Sequence, residues 1–148
     1  MDIMQSFMAY AGDFERTYAD DDWARLQAYF ADDAVYAVES ATFGCRLVGP
    51  AAILAGIRKS VSGFDRRFDE REIAVVSGPD VEGDEMRIGW TVTYRKAGMA
   101  PFVLRGRSAV RYRDGVIAAL TDSYEPAVER ELADWQRANG LPVDVSYT

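Results

Sequence analysis

Histidine is absent from this sequence of 148 residues, and cysteine occurs only once, as Cys45. Without histidine the chain lacks the usual general base near neutral pH and the commonest metal ligand, so histidine-dependent mechanisms are excluded. A single cysteine cannot form a disulfide within the chain, which agrees with a reducing compartment. We expect Cys45 to be a buried small residue, because free cysteine is among the most buried residue types; a reactive thiol is the alternative.

The sequence has fewer positively charged than negatively charged residues. The sequence has 17 lysines and arginines against 24 aspartates and glutamates, which gives a formal net charge of −7. Long-range repulsion would oppose an encounter with nucleic acid or with an anionic membrane. We therefore expect neither of these as the main partner.

Long apolar runs are also missing, because charged residues interrupt every apolar stretch within a few positions. Residues 1–18 lack the basic start and the cleavage pattern of a signal peptide. We expect a cytoplasmic protein.

The residues that are present indicate one globular domain spanning residues 1–148, with 49% hydrophobic residues to form its core. Apolar residues at helical spacing predict helices over residues 2–18, from Trp23 to Phe30 and from Pro50 to Phe64, with a short strand over residues 34–38. The acidic run before Trp23 is interpreted as a helix cap rather than a metal site, and we expect no metal.

The period changes to two after residue 71, which predicts long antiparallel strands followed by a helix from Pro126. The strands are predicted in the segments 72–76, 87–94, 102–112 and 116–124. This order predicts an α+β fold in which a strongly curved antiparallel sheet wraps around the N-terminal helices, with an extra C-terminal helix. Such an arrangement leaves a conical cavity suited to a small ligand.

Asp122 interrupts the last predicted strand, within "ALTDSYE". A two-residue turn at Asp114 and Gly115 would place Asp122 opposite Arg107 on the preceding strand. The two residues could form a structural ion pair that fixes the strand register, or both could face the cavity. In the second case we expect the arginine to outweigh desolvation, so that Asp122 is an anion suited to take a proton or to orient a water molecule.

Three segments, "DWARLQAYFADDAVY", "GPAAILAGIRKSV" and "RYRDGVIAALTDSYE", together resemble the SnoaL-like family of the nuclear transport factor 2-like (NTF2-like) superfamily. The resemblance runs over nearly the whole chain and implies a single NTF2-like cone. The superfamily includes isomerases, aldol cyclases, epoxide hydrolases and dehydratases, as well as members that only bind ligands or partners. The fold alone therefore does not choose among these functions.

The catalytic patterns of the superfamily match this sequence only in part. The base of the steroid isomerases falls on Val38, and their tyrosine falls on Phe14, so that mechanism is not expected. The epoxide hydrolase pattern requires an aspartate in the segment 86–95, which has none, although its second aspartate matches Asp122. In the polyketide cyclase pattern, the strand histidine falls on Arg107 and the aspartate on Asp122.

We therefore expect a pocket protein that acts on a small apolar or amphipathic molecule without a cofactor. As an enzyme it would be an isomerase, cyclase or hydrolase with Asp122 as the base and Arg107 as its electrostatic partner. The alternative is a non-catalytic binding or regulatory module in which Arg107 or Arg105 holds an anionic group. The side chains expected to bind the molecule are Tyr18, Tyr36, Trp90, Arg105, Leu120 and Tyr124.

We also expect a homodimer through the sheet face. Neither face of the last predicted hairpin is plainly polar, so the face away from the cavity should be covered by the last helix or by a second subunit.

Overall fold

Residues 2–148, which the computed structural model describes, form three α-helices, two short 3₁₀ helices and six strands. The α-helices are α1 (Ile3–Asp20), α2 (Pro50–Gly63) and α3 (Pro126–Asn139), and the 3₁₀ helices are Trp23–Tyr29 and Asp65–Arg67. The strands are β1 (Phe30–Glu39), β2 (Cys45–Val48), β3 (Glu70–Glu82), β4 (Glu85–Arg95), β5 (Phe102–Arg113) and β6 (Val116–Tyr124). Among these residues no helix combines the length and the apolar character needed to cross a membrane.

The first half of the chain differs from the prediction at two places. The second predicted helix is a 3₁₀ helix over Trp23–Tyr29, and Phe30 begins β1, because its backbone pairs with Ile117 of β6. Strand β2 was not predicted, since four residues are too few to show a period. It begins at Cys45, which is half-buried rather than buried.

Strand β3 is much longer than the predicted segment 72–76, since it runs from Glu70 to Glu82. Its pairing with β4 is irregular between Val75 and Ser77 and again between Ser77 and Asp80. These irregularities accommodate Pro79, and β3 is an edge strand, where a missing backbone N–H is tolerated.

The six strands form one sheet in the order β2-β1-β6-β5-β4-β3. Neighbouring strands are antiparallel except for β1 and β6, which are parallel, so the sheet is mixed. The parallel pair brings the last strand beside the first, and residues distant in sequence meet there. This pair places Asp122 next to Val38 of β1.

The helices all pack on the concave face of the sheet. Helix α2 packs against β1 and β2 and helix α1 against β3 and β4, while α3 packs against the ends of β4 and β5. Trp135 of α3, for example, lies against the rings of Phe68 and Phe102, with centroid distances of 5.4 and 6.1 Å. The expectation that α3 might cover the outer face is therefore wrong, and outer side chains such as Val103 and Arg107 are exposed.

Candidate functional site

Asp122 accepts two hydrogen bonds from neighbouring strands. The Tyr36 hydroxyl of β1 donates to Oδ2 at 2.6 Å, and the Ser108 hydroxyl of β5 donates to Oδ1 at 2.6 Å. Trp90 Nε1 of β4 donates to Ser108 Oγ at 2.9 Å. A chain of hydrogen bonds thus crosses four adjacent strands and ends on the carboxyl group of Asp122.

A β-bulge decides which residues meet at this site. The turn at Asp114 and Gly115 gives the predicted pairs nearest to it, but the register shifts between Arg111 and Tyr112, where Ala118 is the extra residue of β6. Beyond the bulge Asp122 lies opposite Ser108 instead of Arg107. A shift of one residue moves a whole strand's partners to the other face.

The predicted pair of Asp122 and Arg107 is therefore wrong. Arg107 pairs with Ser123 and lines a groove of about 290 Å³ on the outer face, together with Arg105. Arg105 forms a salt bridge with Glu131 of α3 at 2.5 Å. Neither arginine can hold a ligand in the cavity that Asp122 faces.

Desolvation dominates the electrostatics of Asp122. Asp122 is half-buried and lines a cavity, and no lysine or arginine of residues 2–148 forms a salt bridge with it. This burial raises the pKa of Asp122, and the hydrogen bonds from Ser108 and Tyr36 offset the rise only in part. The expectation that an arginine would hold Asp122 as a low-pKa anion is wrong.

The cavity beside Asp122 has a volume of about 140 Å³, small against the roughly 300–1,000 Å³ of pockets that hold drug-sized ligands. It lies between α1, α2 and the concave face of the sheet, and its walls combine aromatic, aliphatic and acidic side chains. The residues that line it are Tyr10, Phe14, Tyr36, Ile57, Ser60, Val61, Asp65, Leu120, Asp122 and Tyr147.

The cavity therefore includes two of the side chains expected to bind a ligand, Tyr36 and Leu120. Trp90 is connected to it through Ser108, and Tyr124 packs against the Trp90 ring at 5.9 Å without lining the cavity. Tyr18 does not line the cavity; the guanidinium of Arg71 stacks on its ring at 4.4 Å.

Asp65 is a second cavity carboxyl, which sequence reasoning did not identify. It accepts hydrogen bonds from the Tyr94 hydroxyl at 2.9 Å and from Arg71 Nε at 3.1 Å. Burial raises the pKa of Asp65, while the charge of Arg71 works in the opposite direction. In the sequence Asp65 belongs to a mixed-charge cluster, "DRRFDERE", in which no local pattern marks one carboxylate as buried.

Residues 141–148, here called the strap, close one side of the cavity. The strap follows α3 and runs back along α2, where the Asp144 N–H donates to the Gly63 carbonyl at 3.0 Å. The Ser60 hydroxyl donates to the Val145 carbonyl at 2.8 Å. Small residues on α2 permit this approach, because a Cβ on Gly63 would lie 2.4 Å from the Asp144 carbonyl oxygen.

Tyr147 is the residue of the strap that lines the cavity. Its ring packs edge-on against Tyr36 with a centroid distance of 5.7 Å. Burial and the negative charge of Asp122 raise the pKa of Tyr147 to about 12, so its hydroxyl stays protonated at neutral pH. No local pattern predicts this contact, since the strap has no periodicity and its partners are distant in the chain.

The family model of the SnoaL-like domain matches residues 11–120, which is most of the chain. The fold and this match together define the class: the chain belongs to the SnoaL-like family, within the NTF2-like fold. The matched region ends two residues before Asp122, so membership does not assign a role to that residue. No functionally curated protein matches the sequence.

Several solved structures share the fold at low sequence identity. A putative isomerase from Bacillus subtilis has a TM-score of 0.66 and 16% identity, covering 90% of this chain and 96% of its own. TerC, co-crystallised with polyporic acid, has a TM-score of 0.63 and 16% identity, covering 88% and 97%. An epoxide hydrolase of the LEH-like type from M. tuberculosis has a TM-score of 0.61 and 16% identity, covering 90% and 94%. At these identities the likeness concerns the fold alone.

Proposed function

We propose that this protein is a small-molecule enzyme that catalyses proton transfer, with Asp122 as the group that accepts and returns the proton. The observation that carries the proposal is a half-buried carboxyl group that lines a cavity and has no cationic partner among residues 2–148. A general base works best when its pKa lies near the operating pH, and burial moves the pKa of a carboxyl group in that direction.

The neighbours of Asp122 suit this role. Tyr36 and Ser108 hold both carboxyl oxygens in place, which fixes the direction in which a lone pair can reach a substrate. In the proposed step a C–H bond of the substrate breaks, its proton moves to Asp122, and the same proton is returned to another atom. Isomerisation and aldol-type cyclisation both include such a step.

The cavity limits the substrate to a small molecule with an apolar body. Aromatic and aliphatic side chains form most of its wall, and Tyr147 of the strap occupies part of the cone. Arg105 and Arg107 have no place in this site, so the alternative of a binding module that holds an anion with them would have to use the outer face.

Hydrogen exchange of a simple carbon acid tests the proposal without knowledge of the natural substrate. Exchange of the α-hydrogens of cyclopentanone with D₂O, followed by proton NMR, reports base-catalysed proton abstraction. We expect the wild-type protein to accelerate exchange and Asp122→Asn to lose about 10²-fold or more of that acceleration, the usual contribution of a general base. Asp80→Asn, an exposed aspartate on β3, is the matched control and should retain it.

Equal exchange rates for the wild type and Asp122→Asn would overturn the proposal. Binding of cyclopentanone without accelerated exchange would favour a non-catalytic binding module instead.

We also propose that two copies associate through the outer face of the sheet. No element of residues 2–148 packs on this face, and Val103 is 41% exposed there. The face carries both arginines and acidic residues, such as Arg107 and Glu72, which a two-fold axis could bring together.

A further inference from the structure

Among residues 2–148, the side chains that line the cavity are aromatic, aliphatic and acidic, with no basic group. Among the described residues that line it, the ionisable acids are Asp65 and Asp122, and none is a lysine or an arginine. Asp65 has Arg71 as a partner, but Arg71 also contacts Glu15 at 2.9 Å. Asp122 has no counter-charge at all within residues 2–148. The cavity is therefore a poor site for an anion.

The direction of the hydrogen bonds shows what Asp122 offers to a ligand. An indole N–H can only donate, so the bond from Trp90 leaves the Ser108 proton free to point at Asp122. Burial raises the pKa of Tyr36 well above its ordinary value, so this hydroxyl also donates. Both oxygens of Asp122 thus act as acceptors. The carboxyl group is arranged as a carboxylate that awaits a donor.

A second polar group in the cavity awaits a partner. Tyr10 is 7% exposed and lines the cavity, and its hydroxyl makes no hydrogen bond to the other described residues. The Tyr10 hydroxyl oxygen is therefore free to accept a hydrogen bond, and an N–H group of a ligand in the cavity would supply one.

From these contacts we propose that the cavity binds a small alkylammonium ion, with its charged nitrogen at Asp122 and its apolar part against the aromatic wall. The proposal rests on the proposed function in that it assigns the substrate class of the same cavity. The ammonium supplies the counter-charge that Asp122 lacks, and its N–H groups find acceptors on Asp122 and Tyr10. The rings of Phe14, Tyr36 and Tyr147 add favourable contact with a cation.

Three ligands of the same shape but different charge test the proposal: tert-butylammonium, tert-butanol and pivalate. Their binding to the full chain is measured by isothermal titration calorimetry at constant ionic strength. We expect tert-butylammonium to bind at least tenfold more tightly than tert-butanol, and pivalate to show no binding. In Asp122→Asn the ratio of the affinity for tert-butylammonium to that for tert-butanol should fall at least tenfold.

Two further variants keep the result interpretable. Asp80→Asn removes one negative charge far from the cavity and should bind tert-butylammonium as the wild type does, which excludes general attraction to a protein of charge −7. Tyr10→Phe removes only a hydroxyl and should weaken the binding of tert-butylammonium severalfold. If circular dichroism shows that Asp122→Asn does not fold, Tyr10→Phe replaces it as the variant that tests the proposal.

Four outcomes would each overturn the proposal. They are equal affinity for the cation and the alcohol, binding of pivalate, a cation affinity that Asp122→Asn leaves unchanged, and no binding of any of the three ligands. Hydrogen exchange of cyclopentanone is measured separately. A protein that exchanges cyclopentanone but shows no cation preference would retain the proposed function and lose only this substrate class.

Discussion

The strap depends on the absence of a side chain at Gly63, and Gly63→Ala tests how firmly it is attached. An added Cβ would lie 2.4 Å from the Asp144 carbonyl oxygen, closer than real Cβ contacts occur. The obstacle is backbone on both sides, because the Asp144 N–H also donates to the Gly63 carbonyl at 3.0 Å. We expect the alanine to displace the strap from α2 and to withdraw Tyr147 from the cavity.

The loss of unfolding free energy expected for Gly63→Ala follows from the hydrogen bonds of the strap. Three hydrogen bonds tie residues 143–145 of the strap to the rest of the chain: Asp144 N to Gly63 O, Ser60 Oγ to Val145 O and Gln136 Nε2 to Val143 O. At a net contribution of about 0.5–1.5 kcal/mol each, their loss destabilises the fold by roughly 1.5–4.5 kcal/mol. Alanine stabilises a helix by about 0.5–1 kcal/mol relative to glycine, so the net loss is roughly 0.5–4 kcal/mol.

Two measurements check this expectation. Urea denaturation gives the loss of unfolding free energy, and amide hydrogen exchange reports whether residues 141–148 lose protection while the sheet keeps it. Gly12→Ala in α1 is the matched control, since nothing lies within 4 Å of a Cβ at that position. It should stabilise the protein slightly. If Gly63→Ala is as stable as Gly12→Ala and the exchange of the strap is unchanged, the account of the strap as a clamped segment is refuted.

Three other predictions follow from single contacts. Gly106→Ala should destabilise the protein by about 1–3 kcal/mol in urea denaturation, because the new Cβ would lie 2.6 Å from the Trp90 ring; an unchanged midpoint would contradict this. Because the folded-state pKa of Asp122 is raised, its contribution to stability is fully present below its ordinary pKa and is lost as the pH rises to the folded value. The unfolding free energy of the wild type minus that of Asp122→Asn, measured as a function of pH, should therefore fall across this pH window. A difference that rises with pH would show that the folded-state pKa of Asp122 is lowered rather than raised. Val103→Asp should convert a dimer to a monomer in sedimentation velocity, whereas Val48→Asp on the opposite edge of the sheet should not; a wild-type monomer would remove the dimer proposal.

Local patterns predicted much of the fold. The apolar stripe of α1, the Gly-Pro start of α2 and the alternation in β4, β5 and β6 all reflect contacts within one element. Such patterns are visible in a sequence because helices and strands impose their own periods on buried positions. The position of Asp122 on the cavity side of β6, with Tyr36 and Leu120 near it, also follows from that alternation.

The partner of Asp122 could not be predicted in the same way. The turn signal fixes the register only for the residues beside it, and one extra residue at Ala118 replaces Arg107 by Ser108 opposite Asp122. The bulge leaves no mark in the local alternation. It changes the electrostatics of the site from a paired to an unpaired carboxyl group.

The sequence by itself determined most of the helices and strands and their order, the acidic character of the chain and the absence of histidine chemistry, because these properties belong to single residues or to short periodic segments. Only the tertiary structure decided that Asp122 faces Tyr36 and Ser108, that Asp65 and Tyr10 share its cavity, and that residues 141–148 close it. Each of these facts joins segments that are distant in the chain, and the free energy that brings them together comes from packing the whole sheet against its helices.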